Sequence, residues 1–97
     1  MNIKISFITL KSRVKSNGET PIYCYLTSKR EQIRFSTGLS LPLNIWDINK
    51  QKAKGNNNHS LIINKEIDDL KKKINSIQLK LIQNDENYTL ADILNKF

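Results

Sequence analysis

The side chains of this 97-residue sequence that could do chemistry are hydrogen-bond donors and cations, not nucleophiles. Arg13, Gln32 and Arg34 are of the types that form paired hydrogen bonds with base edges, arginine with guanine and glutamine with adenine. Lys11, Lys29, Arg30 and Lys52 carry charge suited to phosphate, and Tyr23, Tyr25, Thr27 and Ser36 add hydroxyls that bond phosphate oxygens. The sets that other chemistries require are missing. His59 is the single histidine and Cys24 the single cysteine, so neither a zinc site nor a Cys–His pair can be assembled from the usual ligands. No glycine-rich phosphate loop occurs. The expectation is a binding module with no catalytic residue, no metal and no cofactor.

Strand periodicity positions these residues. Ile3, Ile5 and Phe7 alternate with Asn2, Lys4 and Ser6, a period of two. Ile8, Leu10 and Val14 then take the other parity, opposite Thr9, Lys11, Arg13 and Lys15, and a bulge near Phe7-Ile8 accounts for the slip. Ser16-Asn17-Gly18-Glu19 reads as a turn, since Asn and Gly tolerate positive φ. A second strand from about Thr20 to Thr27 starts beside Pro21, with Ile22, Cys24 and Leu26 on one face and Tyr23, Tyr25 and Thr27 on the other. Ser28 to Glu31 turns the chain. The third strand sets Ile33, Phe35 and Thr37 against Gln32, Arg34 and Ser36, and Gly38 is expected to end it.

Beyond it, Pro42 and a single helical turn bring Trp46 over the core, and 50–58 reads as an exposed loop bearing Lys50, Lys52 and Lys54. Ile63, Ile67, Leu70, Ile74, Ile77 and Leu81 then follow 4-3-4-3-4 spacing, one stripe of a long amphipathic helix. Ser60 or Asn64 is its expected cap, and Asp68 and Asp69 can pair with Lys72 and Lys73 at i+4. The run 84–87 breaks the helix, and Thr89-Leu90-Ala91-Asp92 resembles a capping box opening a short one.

The fold class is therefore α+β: a three-stranded antiparallel sheet, one long amphipathic helix packed on one face, and a short C-terminal helix. Ile22, Cys24, Leu26, Ile33 and Phe35 meet the helix stripe. Lys11, Arg13, Tyr23, Tyr25, Thr27, Gln32, Arg34 and Ser36 lie on the open face.

Charge separates along the chain. Residues 1–60 hold ten Lys or Arg against Glu19, Glu31 and Asp47, whereas residues 61–97 hold six of each sign. The whole net charge of +7 thus falls on the first part, where a polyanion would be met. With one cysteine, no secretion signal and no run near the ~18 apolar residues of a membrane span, a cytoplasmic location without membrane contact is expected. Two other functions fit the same residues. Tyr23 and Tyr25 could stack on bases of single-stranded nucleic acid or RNA, and the 4-3 helix stripe could pair with a partner chain as a structural module.

The running order "LKSRVKSNGETPIYCYLTSKREQIRFSTGLSL" resembles the arm-type DNA-binding domain at the N-terminus of tyrosine site-specific recombinases, the integrases of bacterial mobile elements. The likeness rests on Asn17-Gly18, Pro21-Ile22-Tyr23, Ser36-Thr37-Gly38, Pro42 with Trp46, Lys54-Gly55 and Ile63-Asn64. It implies a sheet that enters the major groove of double-stranded DNA at arm-type sites, with the catalytic residues in a separate C-terminal domain. On that basis residues 1–84 are expected to form the arm-type domain. Residues 85–97 would be a linker and the start of a helix toward a core-binding domain. The expected partners are arm-site DNA and the rest of a recombinase chain, and the isolated domain is expected to be monomeric.

Overall fold

The computed structural model describes residues 3–29, 31–83 and 87–96. Three antiparallel strands, β1 (Lys4–Thr9), β2 (Glu19–Thr27) and β3 (Gln32–Pro42), form a sheet in the order β1-β2-β3. A second, two-stranded sheet joins β4 (Trp46–Asp47) to β5 (Lys52–Ala53). The long helix α1 spans Asn58–Gln83 and the short helix α2 spans Leu90–Asn95. The α+β class, the three strands and both helices are as the sequence predicts.

Alternation in β2 decides which way the sheet faces. Thr20, Ile22, Cys24 and Leu26 are 0% exposed, while the residues between them are only partly covered. Helix α1 lies on the buried side, contributing Ile63, Ile67, Ile74 and Leu81 to one core with Phe7, Leu41 and Trp46. Leu70 and Ile77 of the same stripe pack at its margin. The stripe is spent on the domain's own sheet.

The hairpin between β1 and β2 closes as expected, with Gly18 at φ +84° and the Glu19 amide donating to Asn17 Oδ1 at 3.0 Å. A side chain there would be strained, because only glycine reaches this region freely. The β1–β2 register, by contrast, runs unbroken from Lys4↔Thr27 to Thr9↔Ile22, so no bulge falls at Phe7-Ile8. The parity slip has another origin: the chain leaves the strand after Thr9 and winds a 3-10 turn over Lys11–Arg13. Ile8 therefore stays in the strand and faces the open side, and Val14 is 41% exposed rather than core.

The irregularity lies instead between β2 and β3, where Pro21 pairs with Ser40 but Tyr23 pairs with Ser36. Two extra residues sit on β3. Gly38, at φ +80°, permits the detour rather than ending the strand, which runs on to Pro42. Thr37 secures it, its hydroxyl donating to Ile22 O at 2.7 Å and accepting from Leu39 N at 3.1 Å.

Residues 50–58 also differ from the loop expected. Lys52 and Ala53 form β5, and Ala53 is 2% exposed beneath α1. Asn64 is not a cap; its side chain accepts from Ala53 N at 2.8 Å and donates to Ala53 O at 3.1 Å, in the manner of a neighbouring strand. Asn57 caps α1, accepting from Ser60 N at 2.9 Å, and Ser60 is buried and donates to Lys54 O. Gln51, a non-glycine residue at φ +54°, reaches β1 and accepts the Phe7 amide at 2.8 Å. Asp69 pairs with Lys65, four residues before it, at 2.8 Å.

Of the expected break at 84–87, residues 84–86 lie outside the described residues. The capping box at Thr89 is present, with Thr89 accepting from Asp92 N and Asp92 accepting from Thr89 N. Leu90 and Ile93 of α2 are 0% exposed in the same core as the sheet.

Candidate nucleic-acid interface

The open face of the sheet is built of cross-strand rows. Residues directly opposed in an antiparallel pair project to the same side. The register therefore sets Lys4, Thr27 and Gln32 in one row, Ser6, Tyr25 and Arg34 in the next, and Ile8, Tyr23 and Ser36 in the third. Gln32, Arg34 and Ser36 are exposed, and the tyrosines and Thr27 are half-buried.

Two of the rows are tied by side-chain hydrogen bonds. Arg34 Nη1 donates to the Tyr25 hydroxyl at 3.3 Å, and Gln32 Nε2 donates to Thr27 Oγ1 at 3.2 Å. The Tyr25 hydrogen bond raises the Arg34 pKa above its ordinary value, and the guanidinium is a cation in any case. The packed row beneath, Cys24 against Phe35 and Leu26 against Ile33, holds the backbone from which these groups project.

Each acid of the first sixty residues is engaged elsewhere. Glu19, at the far end of the face, accepts from Ser40 Oγ at 3.0 Å. Glu31 turns toward α2 and accepts the Leu90 amide at 2.9 Å. Asp47 accepts from Lys50 N at 3.0 Å, a bond that lowers its pKa first, and lies in the small sheet. Lys50 and Lys54 lie close enough to Asp47 to help lower its pKa. The ion pair found among the described residues, Lys65 with Asp69, belongs to the neutral half, so most of the positive charge of residues 1–60 is not offset by a nearby acid.

Of the residues singled out from sequence, Tyr23, Tyr25, Thr27, Gln32, Arg34 and Ser36 come together on this face. Lys29 is exposed on the β2–β3 turn, which is closed by Ser28 N donating to Glu31 O at 2.9 Å. Arg30 lies outside the described residues. Lys11 and Arg13 are exposed but are not strand residues; their 3-10 turn takes them out of the alternation that placed them on the face. Lys52 is exposed on β5, in a different sheet.

The rows also contain Lys4, which is exposed, Ile8, which is half-buried, and Ser6, which is buried under its neighbours at 8% exposure; none of the three was singled out from sequence. The alternation of β1 marks Lys4 and Ser6, but only the strand register shows which β2 residues they join.

A cleft of about 210 Å³ between the β3 detour and α1, lined by Thr37, Leu39, Glu66, Asp69, Leu70 and Lys73, is smaller than the ~300 Å³ at which small-molecule sites begin. Among the described residues, no three His, Cys, Asp or Glu side chains gather to hold a metal, and no helix is long and apolar enough to cross a membrane.

A family model described as an arm DNA-binding domain matches residues 7–94. No curated protein and no solved structure matches the chain.

Proposed function

The chain belongs to the arm DNA-binding domain family, and from that membership we propose that it binds double-stranded DNA sequence-specifically, laying the open face of its sheet in the major groove. DNA binding comes with the family; the duplex, the groove and the contact residues are this reading. Arg34 and Gln32 read bases, with Tyr23, Tyr25, Thr27 and Ser36 around them. Lys11, Arg13, Lys29 and Lys52 grip phosphates from turns and from the small sheet, and Arg30 adds a further cation to the phosphate-binding set. The parent protein is a tyrosine recombinase, and this module carries no catalytic step. Its remaining partner is the rest of that chain.

The observation that carries the reading is an acid-poor sheet face whose arginine and glutamine are each tied to a cross-strand neighbour. The major groove, ~12 Å wide, admits a two-stranded β-ribbon, and β2 with β3 carries Tyr25, Thr27, Gln32 and Arg34 on one face. The helix stripe, buried against the sheet, is not available to pair with a partner chain.

The test is a titration of duplex and single-stranded oligonucleotides of the same sequence at one salt concentration. The duplex is expected to bind more tightly. Equal or tighter binding of the single strand would instead assign Tyr23 and Tyr25 to stacking on unpaired bases.

A further inference from the structure

We propose that Arg34 and Gln32 read two different base pairs one to two steps apart, a guanine and an adenine, with Tyr25 and Thr27 as their positioning residues. The inference rests on the duplex reading above and deepens it.

The side chains' remaining hydrogen-bonding capacity fixes the bases. A guanidinium has five N–H donors and no acceptor. One Arg34 donor is held by the Tyr25 hydroxyl, and the others can meet O6 and N7 of guanine, which are both acceptors. The Gln32 amide has two N–H donors and one oxygen. With one donor on Thr27 Oγ1, it keeps one donor and one acceptor, the pair that N7 and N6 of adenine require.

The strand fixes the spacing. Gln32 and Arg34 are two residues apart on the same face of β3, about 6.8 Å at ~3.4 Å per residue. A base step rises ~3.4 Å, and the groove also turns by a tenth of a circle over that rise, so its path per step is somewhat longer. About 6.8 Å of strand along the groove therefore covers more than one step and no more than two.

The two hydrogen bonds matter because an unanchored side chain samples many rotamers, and ordering it on binding opposes association. Tyr25 and Thr27 hold their partners before DNA arrives.

The experiment is selection from a randomised duplex pool, followed by a scan of single base-pair changes at fixed salt. It uses the wild-type chain, Arg34→Ala, Gln32→Ala and Tyr25→Phe. Arg34 and Gln32 are exposed, and a thermal melt of each variant checks that the fold is kept. The wild type is expected to prefer guanine at one position and adenine at another one or two steps away, each by about tenfold. Arg34→Ala should remove the first preference alone and Gln32→Ala the second alone. Tyr25→Phe should weaken binding to the guanine-containing site several-fold more than binding to scrambled duplex, so that the guanine preference falls.

Relaxation of both variants at one base pair, or at positions more than two steps apart, overturns the inference and leaves duplex readout standing. So does an equal loss on every duplex. An unchanged guanine preference in Tyr25→Phe removes Tyr25 from the positioning role. A wild type with no base preference at all overturns both this inference and the sequence-specific reading beneath it.

Discussion

The two faces of β2 are made by one backbone, yet they perform opposite tasks. Ile22, Cys24 and Leu26 are sealed against α1, whereas Tyr23, Tyr25 and Thr27, their immediate neighbours, stand half-open beside Arg34 and Gln32. The buried side supplies the free energy that orders the strand. The open side takes that order without adding much stability of its own. The backbone that presents Arg34 is thus held by side chains sealed on the opposite face, and under the proposed DNA-binding role substitutions on the two faces should separate folding from recognition.

The largest effect should come from the sealed side. Leu26→Ala removes a fully buried side chain and should cost about 2–5 kcal/mol, and Trp46→Ala about 3–5 kcal/mol. A domain this small has only about 5–15 kcal/mol in hand at most, so either variant should melt far earlier or fail to fold in calorimetry. Native Trp46, 4% exposed, should emit to the blue of free tryptophan. If both variants melted as the wild type does while losing duplex binding, the division between the faces would collapse.

Cys24 gives an intermediate effect with a pH signature. Burial pushes its thiol pKa from 9.0 up to about 12. The folded state therefore holds a proton that the unfolded chain has released, and the stability tied to the neutral thiol is fully present below pH 9 and declines as pH rises toward 12. Cys24→Ala should flatten that part of the pH–stability profile. Alkylation of Cys24 at neutral pH should follow unfolding rather than the reagent's own rate with a free thiol.

The smallest effects on folding belong to the exposed cations. Lys29→Ala and Lys52→Ala should shift stability by less than about 0.5 kcal/mol and weaken all duplexes alike. Four to six phosphate contacts give a log–log salt slope of about −4 to −5, and each lysine removed should make it shallower by about 0.9. A wild-type slope shallower than about −1 would leave the positive charge idle. A loss confined to one base position would move that lysine to the reading group.

Period two in the sequence made β2 and most of β3 legible, because a half-buried strand must alternate to have a core side at all. The 4-3 spacing did the same for α1. What escaped were features that depend on pairing rather than on pattern. Lys11 and Arg13 sit two apart, as strand neighbours do, but a 3-10 turn accommodates the same spacing. Gly38 reads as a stop, and only the partner strand shows that it permits a detour, with Thr37 tying the far side. The β4–β5 sheet has two residues per strand, too few for any period, and depends on Asn64 of the helix to complete its hydrogen bonding. For the candidate site, the placement of the β2 and β3 residues on one face was readable, and the position of the exposed Lys4 beside Thr27 needed the register.

Gln51 bears on a hazard separate from DNA. β1 is an outer strand of the sheet, and the outer edge of any strand offers amides that can template a second copy of the chain and start a growing fibre. The Gln51 carboxamide fills the slot at Phe7, mid-strand, where such a copy would have to dock. Its backbone lies in the left-handed region, which costs a residue with a side chain about 1–2 kcal/mol. That strain sits at the point where the sheet is kept from extending. On the other edge, the detour at Gly38 breaks the straight run of β3 that a second sheet would need. The Gln51 hydrogen bond on β1 and the Gly38 detour on β3 thus each interrupt an edge of the sheet along which two copies of the chain could pair.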